Sequence, residues 1–219
     1  MHDTMSHSPP SEGITLVIGG TGKTGRRVAE RLLSLGRETR VASRSANPAF
    51  DWNDKGTWDA ALAGDTRAYI TYAPDLAIPG ATAAIRAFVA LAVDKGVKRL
   101  VLLSGRGEEE AQACERIVQE AGIVWTIVRA SWFDQNFSEG ELLGMVLVGV
   151  IALPAGDVPE PFVDVEDIAV VAVAALTEAG HEYEIYEVTG PRLLTFTDVA
   201  REISDATGRE VGFMQISKE

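Results

Sequence analysis

Residues 14–28 read ITLVIGGTGKTGRRV, and the reading of this stretch decides the fold. Ile14 to Ile18 form an apolar, β-branched run of the length of one buried strand. The segment GGTGKTG (19–25) breaks that run, and helical spacing resumes with Val28, Leu32 and Leu35 on one face. Gly19, Gly22 and Gly25 fall at intervals of three. Glycine allows a tight turn, lets a backbone approach a pyrophosphate, and permits close packing of helix on strand. The following helix turns unpaired N–H groups and the positive end of its dipole toward whatever anion sits there. Strand, glycine turn and helix together point to nucleotide binding; an ordinary strand–helix turn is the alternative.

The bulk properties bound the rest. A chain of 219 residues suits one domain, or one domain with a small appendage. Its formal charge of −12 argues against nucleic acid or an anionic membrane as partner, because both demand clustered positive charge. Cys114 is the only cysteine, so no internal disulfide can form, and a reducing cytoplasm is the expected location. Cys114 falls in a helical pattern and is expected to pack as a small hydrophobe. His2, His7 and His181 sit in a polar leader and a loop, so no metal site is expected. Residues 1–13 lack the apolar segment of a signal peptide and read as a disordered leader. The apolar run from Leu142 to Pro154 is broken by Gly144 and Gly149 and is too short to span a bilayer. It is expected to be buried or to line a pocket.

Beyond the first helix, Glu38 to Ser43 reads as a second strand ending at Arg44. In a dinucleotide-binding fold this strand's end faces the adenosine ribose, where a carboxylate favours NAD and a cation suits a 2′-phosphate. Ser43-Arg44-Ser45 carries no carboxylate, and arginine grips phosphate with paired hydrogen bonds, so NADP(H) is preferred over NAD(H). A solvated loop role for Arg44 is the alternative. Phe50-Asp51-Trp52 reads as a short third strand, and Asn53 to Leu62 as a helix with Trp58 and Leu62 inward. Asp51 either accepts from an adenine amino group or caps the next helix.

Arg67 to Tyr72 is the fourth expected strand, stopped by Ala73-Pro74. A helix follows over Ala81 to Lys95 with Ile85, Phe88, Val89 and Ala92 toward the sheet, ending at Gly96. The apolar fifth strand, Arg99 to Leu103, ends at Ser104-Gly105; a helix spans Glu108 to Gly122, and a sixth strand Val124 to Val128. Later come a helix over Asp164 to Leu176 with an Asp164/Asp167 capping pattern, a strand Glu184 to Val188, a helix Thr197 to Thr207 with Val199, Ile203 and Ala206 inward, and a strand Val211 to Ile216. Alternating strands and helices mark a doubly wound (Rossmann) α/β fold with a parallel sheet. Its core is expected over 14–135, and 136–219 is a smaller α/β portion completing the same domain on the substrate side. Right-handed crossovers bring Gly19–Gly25, Ser43–Arg44, Asp51, Tyr72–Pro74, Ser104 and Ala130–Phe133 to one edge as a single crevice.

With these segments placed, the chain resembles the NmrA-like branch of the atypical short-chain dehydrogenase/reductase superfamily from Ile14 to Ser217. The resemblance is carried by GGTGKTG (19–25), VASR (41–44), FDWND (50–54), YAP (72–74), LLSGRGE (102–108), GIVWTIVRASWFDQNFSEG (122–140), PFVDVEDIA (161–169) and YEVTGP (186–191). It implies NADP or NAD on the Rossmann core, with the C-terminal part covering a small-molecule substrate. By matching position it implies that Thr21, Gly22, Lys23 and Thr24 hold the pyrophosphate, and Ser43 and Arg44 the 2′-phosphate. Asp51 and Trp52 would border the adenine, Tyr72, Ala73 and Pro74 the riboses, and Ser104, Ser131, Trp132 and Phe133 the nicotinamide.

Two departures qualify what is implied. The superfamily's Tyr-x-x-x-Lys pair, counted back from Glu115, falls near Gly107 and Ala111, and no Tyr or Lys lies anywhere in 104–122. Ser104, where the superfamily places its carbonyl-orienting serine, is then the sole catalytic candidate; a strand-end serine touching the cofactor is the alternative. Similar proteins also continue for some tens of residues past Ser217 as helices that close over the substrate. The expected function is NADPH-dependent reduction of a small apolar carbonyl, enone or imine, by a monomer or homodimer. A non-catalytic NADP-binding sensor that docks a protein partner is the alternative. Isomerisation or cofactor-assisted cyclisation at the same site is a more distant one.

Overall fold

The computed structural model describes residues 13–217, so all but Gly13 of the expected leader lies outside the described residues. The chain runs β1 (Ile14–Ile18), α1 (Lys23–Ser34), β2 (Thr39–Ala42), a 3₁₀ turn (Lys55–Thr57), α2 (Trp58–Ala61), β3 (Asp65–Ile70), α3 (Ala81–Asp94) and β4 (Arg99–Gly105). It continues through α4 (Glu109–Gln119), β5 (Val124–Ala130), α5 (Asn136–Glu139), α6 (Leu143–Val148), β6 (Val150–Leu153), α7 (Val165–Thr177), β7 (Glu184–Val188), α8 (Phe196–Thr207) and β8 (Gly212–Gln215). Six strands form one parallel sheet in the order β2-β1-β3-β4-β5-β7.

The apolar strands read as they do because both faces of the sheet are covered. Strand alternation sends Leu16, Ile18, Leu100 and Leu102 into one cluster with Ile85 and Phe88 of α3 and Cys114 and Val118 of α4. Val17, Tyr69, Val101 and Val128 point the other way, against Val28 and Leu32 of α1 and Ile168 and Ala172 of α7. Cys114 is buried in the first cluster, as its helical position suggested. Leu35, expected on the inner face of α1, is instead an exposed residue at that helix's C-cap.

The expected third strand does not form. Phe50-Asp51-Trp52 is a turn whose polar groups are taken locally: Asp51 N donates to Thr57 Oγ1 (3.0 Å), Trp58 Nε1 to Asp51 O (2.7 Å), and Trp52 Nε1 to Thr71 O (3.0 Å). A ladder would need those backbone groups. Phe50, Trp52 and Trp58 pack instead on one another and on Phe88 of α3. β2 is therefore the sheet's edge. The helix expected over Asn53–Leu62 is reduced to the 3₁₀ turn and one turn of α2, though Trp58 and Leu62 are buried as expected.

The C-terminal portion builds a second, two-stranded parallel sheet from β6 and β8. Its core gathers Phe137, Ile151, Phe162, Phe196, Val199 and Val211. The Leu142–Pro154 run resolves into α6 and β6: Ile151 is fully buried, whereas Leu147 and Val148 are exposed. On α8 Phe196, Val199 and Ala200 are buried and Ile203 packs against the same cluster, whereas Ala206 faces solvent. Asp164 caps α7 by accepting from Glu166 N (2.8 Å), without the reciprocal bond expected of Asp167. No helix among the described residues is long and apolar enough to cross a membrane.

Candidate functional site

The glycine turn does at atomic scale what its composition requires. Gly19 lies in the left-handed region (φ +68°), and Gly22 N donates back to Gly19 O at 2.8 Å, closing the turn. A Cβ on Gly25 would run into the Gly19 carbonyl, 2.7 Å from its carbon, so only glycine lets α1 sit this close to β1. Gly22 is the N-cap and places no side chain over the helix start. The first intrahelical bond runs from Arg26 N to Gly22 O, which leaves the amides of Lys23, Thr24 and Gly25 for an outside acceptor. No acidic residue occupies the first turn, so the positive end of α1 is not neutralised there. Thr21 and Gly22 are exposed beside it.

β2 ends next to this turn, where Gly20 N donates to Ala42 O (3.2 Å). Ser43 is buried, with its hydroxyl 3.3 Å from that of Ser45, and its carbonyl accepts from Phe50 N (2.9 Å). That bond folds the Asp51–Trp52 turn back against the end of β2. Arg44 is exposed and makes no hydrogen bond or ion pair among the described residues. Trp52 stacks at a tilt on Tyr72, ring centroids 5.0 Å apart, which joins the Asp51–Trp52 turn to the end of β3. Asp51 itself accepts from Asn53 N (2.9 Å), and the N-cap of the 3₁₀ turn is Asp54, not Asp51. Ala73–Pro74 is a cis peptide, with Ala73 and Pro74 exposed.

Ser104 ends β4 with its side chain turned toward α4. It is buried and donates to Glu115 Oε1 at 2.6 Å. Glu115 also accepts from Arg129 Nε (2.9 Å) and Nη2 (2.6 Å) of β5. Arg129 and Arg106 reach Glu187 of β7 as well, at 3.6 and 3.1 Å. The Ser104 proton is thus committed to a buried ion pair beneath the crevice. That geometry suits a strut better than a proton donor. Trp132 and Phe133 follow β5 directly; Phe133 packs on the α1/α7 cluster, and half-exposed Trp132 meets Phe196 edge-on at 5.3 Å.

Residues outside the expected set also frame the site. Arg27 of α1 is nearly buried and spans Glu139 (2.7 Å) and Glu166 (2.6 Å), while Arg26 and Arg31 add a second contact to each carboxylate. The helix that presents its amides to the crevice is thereby tied to α5 and α7. Those arginines bring both glutamates below the usual carboxylate range, through hydrogen bonds first and charge second. Lys23 lays its Nζ along the backbone of Gly140. Nothing in local spacing pairs residue 27 with 139 or 166. Glu108, whose carboxyl lies over Gly105 at the end of β4, was not singled out either. Among the described residues no three His, Cys, Asp or Glu side chains cluster in a way that could hold a metal ion.

The donor set fits a dinucleotide: orphan amides at a helix start, glycines where a Cβ would collide, and an unengaged guanidinium on the neighbouring strand's end. Comparison with known proteins gives the same direction. No family model matches the chain. Agroclavine dehydrogenase of Claviceps fusiformis is 32% identical over 226 residues, covering 93% of this chain and 76% of that one. NAD(P)H azoreductase of Xenophilus azovorans is 32% identical over 227 residues, covering 93% and 77%. Among solved structures, the NADPH-dependent quinone oxidoreductase of Escherichia coli, complexed with NADPH, shares the fold at a TM-score of 0.75 and 24% identity, covering 93% of this chain and 78% of that one.

Proposed function

The chain belongs to the NmrA-like family of atypical short-chain dehydrogenase/reductases, NAD(P)H-dependent oxidoreductases on a Rossmann fold, and we propose that it reduces a small apolar carbonyl, enone or imine with NADPH, without the Tyr-x-x-x-Lys pair. One observation carries the reading. The amides opening α1 and the unengaged Arg44 guanidinium stand at the C-terminal ends of adjacent strands, β1 and β2.

In this reading the pyrophosphate rests on Thr21, Gly22, Lys23 and Thr24, where backbone N–H groups and the helix dipole favour an anion. Gly19 and Gly25 set the approach. Ser43 and Arg44 take the 2′-phosphate, which a guanidinium binds in bidentate fashion. Asp51 and Trp52 border the adenine, Tyr72, Ala73 and Pro74 the riboses, and Ser104, Trp132 and Phe133 the nicotinamide. When bound, the nicotinamide supplies the hydride. The chain's own part is to hold the acceptor against it, and half-exposed Trp132, backed by buried Phe196, offers an apolar face for that. The dehydrogenase and azoreductase named among the relatives support hydride transfer as the chemistry.

The test combines calorimetry with NADPH and NADH and turnover against quinones, enones, ketones and imines, followed at the nicotinamide absorbance band. NADPH is expected to bind at least tenfold tighter than NADH, and at least one acceptor to sustain its oxidation. Arg44→Ala removes one charge-assisted contact and should erase most of that preference, a loss of about 1.5–3 kcal/mol for NADPH alone. No heat with either dinucleotide overturns the reading.

A further inference from the structure

Reduction by hydride leaves an anion on the acceptor, and some group must give it a proton. No tyrosine or lysine lies in 104–122, and the Ser104 proton is held by Glu115. Glu108 occupies the N-cap of α4, yet its side chain does not cap the helix. It turns back over the end of β4: a Cβ on Gly105 would stand 2.6 Å from the Glu108 Cδ. The carboxyl therefore fills the place a side chain at residue 105 would take. Strand alternation puts that place on the face opposite Ser104. Gly105 pairs with Ala130 of β5, one residue before the Ser131–Phe133 segment. Asp75, directly after cis-Pro74, is close enough to act on the Glu108 charge. Among the described residues no hydrogen bond or ion pair engages the Glu108 carboxyl.

We infer that Glu108 is the proton donor of this reductase, its carboxyl delivering a proton across the mouth of the crevice to the atom of the acceptor that becomes anionic. The inference rests on the NADPH-dependent reading above. The balance is complete. Two electrons and a hydrogen enter the acceptor's carbon as hydride from NADPH, the Glu108 O–H bond breaks, and an O–H or N–H bond forms on the acceptor. NADP⁺ and a Glu108 carboxylate remain, and solvent reprotonates the latter. The charges that act on it are those of Asp75 from the β3–α3 loop and Glu110 from α4, both of its own sign. Burial first, then the like charges of Asp75 and Glu110, raises the carboxyl above the ordinary glutamate value, which favours its protonated form.

Glu108→Gln keeps the shape and removes the proton. Turnover of a ketone or enone should fall roughly 10²–10⁴-fold, with the NADPH dissociation constant unchanged within twofold and Glu108→Asp recovering part of the rate. In the parent, kcat should decline as pH rises through the Glu108 titration, and Glu108→Gln should lack that limb. Independently of turnover, carboxyl ¹³C titration of the ligand-free protein should show one resonance, missing in Glu108→Gln, with a midpoint above the ordinary value of about 4.3. Equal turnover by parent and Glu108→Gln, or a midpoint at or below the ordinary value, overturns this inference alone. A parent that binds NADPH but reduces no acceptor overturns it together with the reductase reading.

Discussion

Three carboxylates of the main sheet and its helices are each governed by their own partners. Glu115 is 2% exposed and accepts three hydrogen bonds from Ser104 and Arg129, so its charge is compensated where it stands. Glu108 has none, and burial raises its carboxyl above the ordinary glutamate value. Asp65, at the opposite end of the sheet, is intermediate: Oδ2 meets Arg40 at 2.7 Å while buried Oδ1 has no partner. Burial outweighs Arg40 and lifts its carboxyl to about 6. The sign of the consequence is fixed by linkage. Between the ordinary carboxylate value and 6 the folded chain holds more protons than the unfolded chain, so this group's contribution to stability is present at low pH and is lost as pH rises through that window. Asp65→Asn, which stays neutral, should therefore gain on the parent between pH 4 and pH 6, by up to about 3 kcal/mol. Urea unfolding at a series of pH values measures it, and a flat difference would show that the Asp65 carboxyl titrates alike in the folded and unfolded chains. Ser104 was legible as a candidate from its place at a strand end. The Glu115–Arg129 pair that claims its proton was not, because residues 104, 115 and 129 meet only once α4 lies across β4 and β5.

At the scale of elements, the glycine turn and α1 were readable from the glycine spacing and the 3.6-residue period, although Leu35 falls at the exposed C-cap and not on the inner face. The reading of Phe50–Trp52 as a strand failed for an equally physical reason. Alternation of apolar and polar residues marks a strand only if a neighbour takes its backbone groups, and here Thr57 Oγ1 and Trp58 Nε1 take those of Asp51 first. The glycine turn also yields a graded expectation. A Cβ at Gly22 would come to 3.2 Å from the Gly19 oxygen, a contact a small shift relieves, whereas at Gly25 it would overlap the Gly19 carbonyl. Gly25→Ala should cost about 1–3 kcal/mol of stability as an overpacked helix–strand contact. It should also weaken NADPH at least tenfold, because the amides of α1 move with the helix. Gly22→Ala should cost less on both counts. Thermal melts and calorimetry on the two variants compare them, and equal losses would mean that the helix start, not its distance from β1, sets affinity.

Three apolar clusters form among the described residues, two on the faces of the main sheet and one under β6 and β8. A polar link joins the second cluster to the third: Arg26 and Arg27 of α1 grip Glu139 at the end of α5, while Arg27 and Arg31 also grip Glu166 at the start of α7 within the second cluster. Because Arg27 is the buried partner, with its side chain 10% exposed against 32% and 46% for the two glutamates, its charge loses most if the elements part. The clusters should then unfold together. Trp52 and Trp58 report on the Rossmann side, and Trp132, set against Phe196, reports on the C-terminal side. Both signals and far-ultraviolet circular dichroism should trace one transition. NADPH at a hundred times its dissociation constant adds about 2.7 kcal/mol to the folded state alone. For a domain of this size that moves Tm by roughly 5–11 °C. The shift should be the same for every probe, since the amides that hold the phosphates belong to the helix whose arginines hold α5. If the Trp132 signal, isolated by replacing the other tryptophans, melted first and ignored NADPH, the arginine bridge would couple nothing and the C-terminal portion would be a separate unit.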